Sequence, residues 1–314
     1  MNDPHARKLA ALGGGAVRGL GRPGATDKTP ARADYGVAIV NALTIDVEDY
    51  FQVSAFEPHI ARGDWDRLPC RVEANVDRIL DLCTAYGAKA TFFTLGWVAQ
   101  RYPEMVRRII GAGHELASHG TEHRRANDQT PKEFLDDIVQ TKAMLEDIAA
   151  CEVRGYRAPS FSVGPANPWA FECIAQAGYR YSSSVYPIRH DHYGAPASPR
   201  FSHAVAKGLV ELPVATVRLM NTNLPAGGGG YFRLLPYAIS RWSLARINRA
   251  DRQPAMFYFH PWELDPGQPR VPGLSVKTRF RHYLNLDRTE ARLARLLGDF
   301  RWDRVDAVYG IGNG

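Results

Sequence analysis

An acidic cluster at the end of an apolar segment is the feature that most constrains how this chain folds. Residues 37–45 are mostly apolar or β-branched, which predicts a buried strand. Three carboxylates, Asp46, Glu48 and Asp49, follow within four positions. Acidic residues are poor strand formers, and burying them without a partner is unfavourable. Unless the cluster lies in a solvated turn, the rest of the chain has to supply a positive partner, either a basic side chain or a metal ion.

Strand patterns and helix patterns alternate along the chain. The seven predicted strands are residues 37–46, 90–95, 114–118, 153–157, 179–185, 209–214 and 256–260. One of the helical patterns between them opens at Thr130 with a capping box and a proline at the first helical position. An alternation of this kind predicts an α/β fold, either a parallel barrel or a doubly wound sheet.

Polar residues at the strand ends favour the barrel. Asp46, His119, Arg157 and His260 each lie at or just beyond the end of a predicted strand. In parallel barrels the active site is built at the carboxyl ends of the strands. We therefore predict that these side chains converge on one site.

Two histidines, His119 and His123, are four residues apart. If their segment is helical, both imidazoles lie on one face, which suits two ligands of a single metal ion. The alternative is a pair of polar loop histidines. Two histidines and one carboxylate from the acidic cluster would form an open site of the kind that catalytic zinc requires, which favours the metal interpretation.

Arg157 and His260 are candidates for the remaining chemistry. Arg157 could pair with a carboxylate and hold it ionised, although a surface arginine is the alternative. His260 ends a strongly apolar strand, where histidines are more often structural than catalytic. With a pKa near neutrality, His260 could instead donate a proton to a leaving group.

Composition excludes several function classes. The chain of 314 residues has a net charge of +6 but no clustered run of Lys and Arg, which argues against a nucleic-acid partner. An uninterrupted apolar run of about 18 residues is missing, so we predict no transmembrane helix. The four cysteines lack CxxC spacing and are typical of a reduced protein. Residues 1–34 are rich in Ala, Gly and Arg and contain no convincing export signal, which favours a cytoplasmic location.

Two further segments carry a family resemblance. Residues 89–94 (KATFFT) and 113–123 (GHELASHGTEH), together with the acidic strand end, resemble the NodB-homology polysaccharide deacetylases, carbohydrate esterase family 4. The likeness runs from about residue 40 to residue 265. Three other segments resemble the branch associated with exopolysaccharide and exosortase loci, which has a C-terminal extension. They are residues 44–52 (TIDVEDYFQ), 227–237 (GGGGYFRLLPY) and 281–286 (RHYLNL).

The resemblance implies a fold and a domain organisation. The fold is a distorted (β/α)7 barrel of α/β class with a C-terminal helical extension. We expect a disordered tail over residues 1–34, a deacetylase domain over 35–265 and an extension over 266–314 that packs on the barrel.

The resemblance also implies an activity. The chain would be a metal-dependent hydrolase that removes N-acetyl groups from N-acetylhexosamine units of a polysaccharide, specifically an exopolysaccharide. Its metal would be Zn²⁺, with Co²⁺ as the second choice. Asp46 matches the general base, Arg157 the arginine that pairs with it, and His260 the general acid. His119 and His123 match the two metal-binding histidines.

The metal-binding carboxylate departs from the family pattern. Val47 stands where the family has the metal-binding Asp, so that ligand would be Glu48 or Asp49. Strand alternation places Asp46 and Glu48 on the same side, which favours Glu48.

Two other positions also depart. Ser160 replaces an aromatic residue, although its backbone N–H could still serve an oxyanion. Residues 181–185 lack the acidic residue that the family has there, which leaves His260 without an identified partner.

Two other functions fit parts of this pattern. One is an allantoinase-like amidohydrolase that acts on a small molecule, and the other is a catalytically silent glycan-binding protein. Gly227–Gly230 lacks a following Lys-Ser/Thr and is therefore not a phosphate-binding loop. We predict a closely packed rim of a sugar cleft there, with a flexible loop as the alternative.

Overall fold

A single curled sheet carries the candidate site. The computed structural model describes residues 39–191 and 193–312. The predicted tail, residues 1–34, lies outside the described residues. The strands are β1 (Val40–Val47), β2 (Thr91–Thr94), β3 (Glu115–Ser118), β4 (Gly155–Tyr156), β5 (Tyr181–Ser182), β6 (His203–Ala206), β7 (Leu209–Glu211), β8 (Thr216–Leu219), β9 (Thr222–Pro225), β10 (Met256–Phe259) and β11 (Arg301–Asp303).

Seven of these strands are the predicted ones, although most are shorter than their sequence patterns. They run in the order β10-β1-β2-β3-β4-β5-β7, and every neighbouring pair is parallel. Parallel pairing brings all their carboxyl ends to one edge, where the polar residues of the sequence analysis follow. The α/β class and the seven-stranded parallel core are therefore confirmed.

The sheet also contains strands that the sequence patterns did not indicate. The antiparallel β6 pairs with β7, and β11 from the C-terminal extension pairs with β1 next to β10. Within the described residues no strand joins β6 to β10, so the sheet is a curled open barrel. The hairpin β8–β9 forms a second, two-stranded sheet.

The helices of the described residues cover the sheet. They are α1 (Val72–Tyr86), α2 (Gly96–Arg101), α3 (Pro103–Gly111), α4 (Pro131–Ala149), α5 (Trp169–Gln176), α6 (Gly229–Leu234), α7 (Tyr237–Arg246), α8 (Val276–Tyr283), α9 (Leu286–Asp299) and α10 (Val305–Tyr309). Helix α4 begins with the predicted capping box, in which Thr130 and Glu133 bond each other's backbone N–H groups. No helix of the described residues is long and apolar enough to span a membrane.

Packing in the core holds β1, which carries the acidic cluster, in a fixed position. Strand β1 lies between β10 and β2, and all of its residues after Val40 are buried. Leu43, Ile45 and Val47 pack in one cluster with α1 and α9 residues such as Ile79 and Leu296. Alternate positions, including Asp46, face the other way and are also buried. A carboxylate at this position must find its partners inside the protein.

Candidate metal and acid–base site

Three predicted residues form a cluster that could hold a metal ion. Glu48, His119 and His123 each offer a ligand atom, and these atoms lie within 4.8 Å of one another. Glu48 follows β1, and His119 follows β3 at the same edge of the sheet. His123 lies in a loop, not in a helix, and its φ of 54° is left-handed. The two imidazole rings still approach to 5.4 Å between centroids. The loop therefore brings the two histidines together without the helix that their four-residue spacing suggested.

The donor atoms of this cluster are available for a metal. His119 Nδ1 lies 2.8 Å from the carbonyl oxygen of Arg157, which leaves Nε2 free. The buried atoms Glu48 Oε2 and His123 Nδ1 have no hydrogen-bond partner among the described residues. Glu48 Oε2 lies 3.0 Å from His123 Nε2, an ion-pair contact that requires a protonated imidazole. Unsatisfied buried donors and acceptors need an explanation, and two imidazoles with one carboxylate fit a catalytic zinc site.

The electrostatics keep Glu48 and His119 in the protonation states of ligands. Burial by itself would raise the pKa of Glu48, but the charges of His123 and His260 lower it to about 2. Burial lowers the pKa of His119 to about 4. A carboxylate and a neutral imidazole are the forms that bind a metal ion.

Asp49 lies outside this cluster. Its carboxylate accepts hydrogen bonds from the backbone N–H groups of Tyr50 and Val72, both at 2.8 Å, and from that of Arg71. These contacts place Asp49 at the amino-terminal end of α1, where a carboxylate satisfies unpaired N–H groups. Burial raises its pKa to about 6. Of the two residues that the sequence left open, the structure favours Glu48 as the candidate ligand.

Arg157 is fully buried and pairs with Asp46. Its Nη1 lies 2.6 Å from Asp46 Oδ1 and donates to Thr44 Oγ1 at 2.9 Å. Its Nε and Nη2 donate to the carbonyl and hydroxyl oxygens of Ser183 at 3.1 and 2.9 Å. A guanidinium held on every side in this way fixes the adjacent carboxylate in position. The alternative of a surface arginine is excluded.

His260 faces both carboxylates from the opposite side of β1. Its Nε2 lies 3.5 Å from Glu48 Oε1 and 3.9 Å from Asp46 Oδ2. Burial alone would lower the pKa of His260, but the charges of Glu48, Glu263 and Asp46 raise it to about 9. The side chain is 20% exposed, so the imidazole reaches the open side of the site. A protonated imidazole in this position can donate to a group bound over the cluster.

Glu263 is the partner of His260 that the sequence analysis did not identify. His260 Nδ1 lies 2.8 Å from Glu263 Oε1, and Arg233 Nε donates to Glu263 Oε2 at 2.6 Å. Burial would raise the pKa of Glu263, but Arg233 and His260 lower it to about 2. The spacing His260-Pro-Trp-Glu263 resembles a capping box and was the available signal. No local pattern indicated Arg233, which comes from α6.

The glycine-rich segment packs against this same group. A Cβ on Gly229 would lie 2.1 Å from Glu263 Oε1, and one on Gly227 would lie 2.3 Å from the carbonyl oxygen of Met256. Only glycine allows such a close approach to the carboxylate and to β10. The predicted close packing is confirmed, and the flexible-loop alternative is wrong.

Ser160 lies beside the site in a strained turn. Ser160 and Phe161 both have left-handed φ values, 54° and 49°. For residues other than glycine this conformation is unfavourable and is concentrated at functional sites. The Ser160 hydroxyl lies 2.7 Å from that of Ser54, in the segment after β1. The backbone N–H of Ser160 remains the candidate oxyanion donor of the sequence analysis.

Comparison with known proteins adds an independent result. Residues 64–182 match the family model described as "Polysaccharide deacetylase", and residues 183–310 match one described as "Domain of unknown function (DUF3473)". A peptidoglycan-N-acetylglucosamine deacetylase of Bacillus cereus is 32% identical over 103 residues, which cover 33% of this chain and 46% of the relative. A chitooligosaccharide deacetylase of Bradyrhizobium sp. is 32% identical over 153 residues, 48% of this chain and 65% of the relative.

A solved structure shows the same fold. The crystal structure of a candidate polysaccharide deacetylase from Mycobacterium smegmatis superposes with a TM-score of 0.56 at 20% identity. It covers 90% of this chain and 94% of that one. The sequence matches cover less than the structural one. The chain spans less than half the length of the Bacillus cereus relative.

Proposed function

We propose that this chain, whose residues 64–182 match the polysaccharide deacetylase family model, is a metal-dependent hydrolase that removes N-acetyl groups from N-acetylhexosamine units of a glycan. The observation that carries this proposal is the buried cluster of Glu48, His119 and His123 beside the ion-paired Asp46. The relatives described as acting on peptidoglycan and chitooligosaccharide support a glycan substrate. An exopolysaccharide is our specific choice of polymer.

Glu48, His119 and His123 would hold the metal, for which Zn²⁺ is the first choice and Co²⁺ the second. When bound, such an ion supplies Lewis acidity, which polarises an amide carbonyl and lowers the pKa of water. Glu48 lies two residues after Asp46. Both side chains project towards His260, at 3.5 and 3.9 Å from its Nε2.

Asp46 is the proposed general base. As water attacks the acetyl carbon, Asp46 accepts the proton that the water loses. Arg157 orients the carboxylate through the 2.6 Å contact at Oδ1, so Oδ2 faces the site. Because the guanidinium is buried and bonded on all sides, it holds this geometry throughout the reaction.

His260 is the proposed general acid. The C–N bond of the tetrahedral adduct breaks, and His260 Nε2 donates a proton to the departing nitrogen. Glu263 at Nδ1 stabilises the imidazolium and fixes the ring. The backbone N–H of Ser160 would donate to the oxyanion. The products are acetate and a glycan with a free amine.

Two alternatives are less well supported. A catalytically silent protein would not need the acid within 4 Å of the base and of Glu48, or Glu48 within 4 Å of His123. A small-molecule amidohydrolase would need a closed pocket, whereas an open groove of about 360 Å³ begins at Tyr258 and Trp262 beside the site.

We also propose a cytoplasmic location, supported by four free cysteines, which fit a reducing compartment.

Acetate release tests the proposal. The protein is stripped of metal, restored with Zn²⁺ or Co²⁺, and incubated with N-acetylglucosamine oligomers. We expect metal-dependent acetate release that His119→Ala abolishes together with metal binding. His59→Ala, the same change at an exposed histidine, is the control and should retain both. Full activity in His119→Ala would refute the proposal.

A further inference from the structure

The C-terminal extension places an unbalanced basic segment near the candidate site. Residues 266–285 contain Arg270, Lys277, Arg279 and Arg281 but no Asp or Glu. The chain has 33 acidic residues in 314, so about two would be expected in such a segment. Three of the four cations lie on α8. A local excess of this kind attracts anionic partners.

Contacts within the protein neutralise only part of this charge. Lys277 Nζ and Arg281 Nη1 lie 2.6 and 3.0 Å from the same carboxylate oxygen of Asp191. Arg270 and Arg279 form no ion pair with any residue of the described ranges. Arg270 instead lies over the ring of Tyr283, at 4.1 Å from its centroid. Four cations against one carboxylate leave a net positive surface.

Two hollows flank α8 and meet at an exposed aromatic ring. The hollow nearer the site, about 360 Å³, is lined by Tyr231, Trp262, Lys277 and Phe280, among others. The farther one, about 570 Å³, is lined by Arg270, Arg279 and again Phe280. Phe280 is 55% exposed. An exposed ring between cationic hollows offers apolar surface to a sugar face and charge to its substituents.

The nearer hollow adjoins the site at Trp262. Trp262 lines it and stacks on His260, with 5.2 Å between ring centroids and 18° between planes. The indole Nε1 of Trp262 donates to Glu48 Oε1 at 3.2 Å. A glycan whose acetamide lies at His260 would meet this groove at Trp262 and continue along it towards α8.

From this arrangement we propose that the C-terminal extension is a subsite for an acidic sugar, a hexuronate, in the same glycan chain as the N-acetylhexosamine that reacts. The inference rests on the proposed deacetylase function. Lys277 and Arg281 meet the chain in the nearer hollow, Phe280 stacks on a ring, and Arg279 and Arg270 bind carboxylates beyond it. Concave hollows that begin at Trp262, beside the proposed proton donor, suit an extended sugar chain better than a planar membrane surface.

Matched oligosaccharides test the subsite. Acetate release is measured on an N-acetylglucosamine hexamer and on an alternating glucuronate–N-acetylglucosamine hexamer. We expect a higher kcat/KM on the acidic oligomer, which falls as salt is added. The variant Arg270→Gln/Arg279→Gln should lower kcat/KM on the acidic oligomer about tenfold, because each exposed charge contact contributes up to about fivefold. On the neutral oligomer the change should be less than about twofold.

The control removes the same charge elsewhere. Lys207 and Arg301 are exposed at the amino-terminal edge of the sheet, before β7 and at the start of β11. Lys207→Gln/Arg301→Gln should leave both activities unchanged. Equal losses on both oligomers in the Arg270/Arg279 variant, or equal losses in the control, would overturn the subsite.

Direct binding separates the subsite from the proposed function. Calorimetry with the acidic hexamer and with vesicles of anionic phospholipid uses the full chain. If acetate is released from neither oligomer but the acidic one binds in an Arg279-dependent manner, the subsite stands and the deacetylase proposal falls. Arg279-dependent binding of vesicles without binding of the hexamer would overturn the subsite and assign the surface to a membrane.

Discussion

Before residue 182, three candidate site residues come directly after parallel strands. The candidate proton donor after residue 182, His260, also depends on a series of side-chain contacts. Glu48, His119 and Arg157 come directly after β1, β3 and β4. His260 also follows a strand, but Glu263 holds its ring and Arg233 holds Glu263. The boundary coincides with that between the two matching family models.

In the proposed mechanism the two regions have different roles. The candidate metal ligands and the base belong to the first region, and the proton donor and the acidic-sugar subsite belong to the second. If the division is real, metal binding and proton donation should be lost independently. The following changes test that division, beginning with the largest expected effect.

Glu48→Gln and Asp49→Asn distinguish the two carboxylates of the first region. We expect Glu48→Gln to weaken metal binding by more than about 100-fold and to abolish acetate release, because it removes a ligand. Asp49→Asn should retain metal and lose about 1 kcal/mol of unfolding free energy, because its carboxylate satisfies N–H groups at the start of α1. Metal analysis and denaturant melts measure both. Metal loss in Asp49→Asn alone would move the ligand to that residue.

His260→Ala should separate chemistry from metal binding. We expect unchanged metal content and a kcat about 10²–10⁴-fold lower on glycan amides, because the departing nitrogen lacks a proton donor. An aryl acetate has a leaving group that needs no protonation, so its hydrolysis should fall far less. Loss of metal in His260→Ala would show that the two regions are not independent.

The contrast between the regions also explains what the sequence could predict. The apolar stretch before Asp46 and the spacing of His119 and His123 are local patterns, and parallel pairing then brings their strand ends to one edge. The contact between Arg233 and Glu263 joins residues 30 apart in sequence and depends on how α6 packs on β10. No local periodicity encodes such a contact.

Short strands could not be predicted from the sequence either, because their pairing also depends on distant contacts. Strand β11 has three residues, too few to show alternation, and it pairs with β1 only because α9 returns the chain to the sheet. Strand alternation favoured Glu48 over Asp49, but the contacts of Asp49 with the start of α1 could not be predicted from the acidic cluster.

Glu263→Gln tests the series of contacts from Arg233 through Glu263 to His260 in the second region. We expect kcat to fall about tenfold with KM and metal content unchanged, since a neutral partner no longer stabilises the His260 imidazolium. Gly229→Ala should reproduce the effect, because its methyl group would displace the Glu263 carboxylate. Gly230→Ala is the matched control, since its Cβ would meet nothing within 4 Å. If Gly229→Ala and Gly230→Ala behave alike, this series of contacts does not position His260.

A change at Glu115 should have the smallest effect on activity, because this residue joins the two regions at the opposite end of β3 from His119. It starts β3, and its carboxylate accepts from Tyr181 at 2.9 Å and from the Asp306 backbone N–H at 3.2 Å. Burial, with a contribution from Asp306, raises its pKa from 4.5 to about 7. Since the folded pKa exceeds the unfolded one, this group's stabilising effect is complete below pH 4.5 and decreases as the pH rises to about 7.

Glu115→Gln should therefore flatten the pH profile of stability. We expect the wild type to lose about 1–3 kcal/mol more unfolding free energy than the variant between pH 4.5 and 7. The amide keeps an acceptor for the Asp306 N–H and can donate to the Tyr181 hydroxyl, so the fold should persist. Denaturant melts across this range measure the difference, and acetate release at pH 7 should change less than about twofold. Parallel profiles for the two proteins would mean that Glu115 is ionised in the folded state and that the hydrogen bonds from Tyr181 and the Asp306 N–H compensate for its burial.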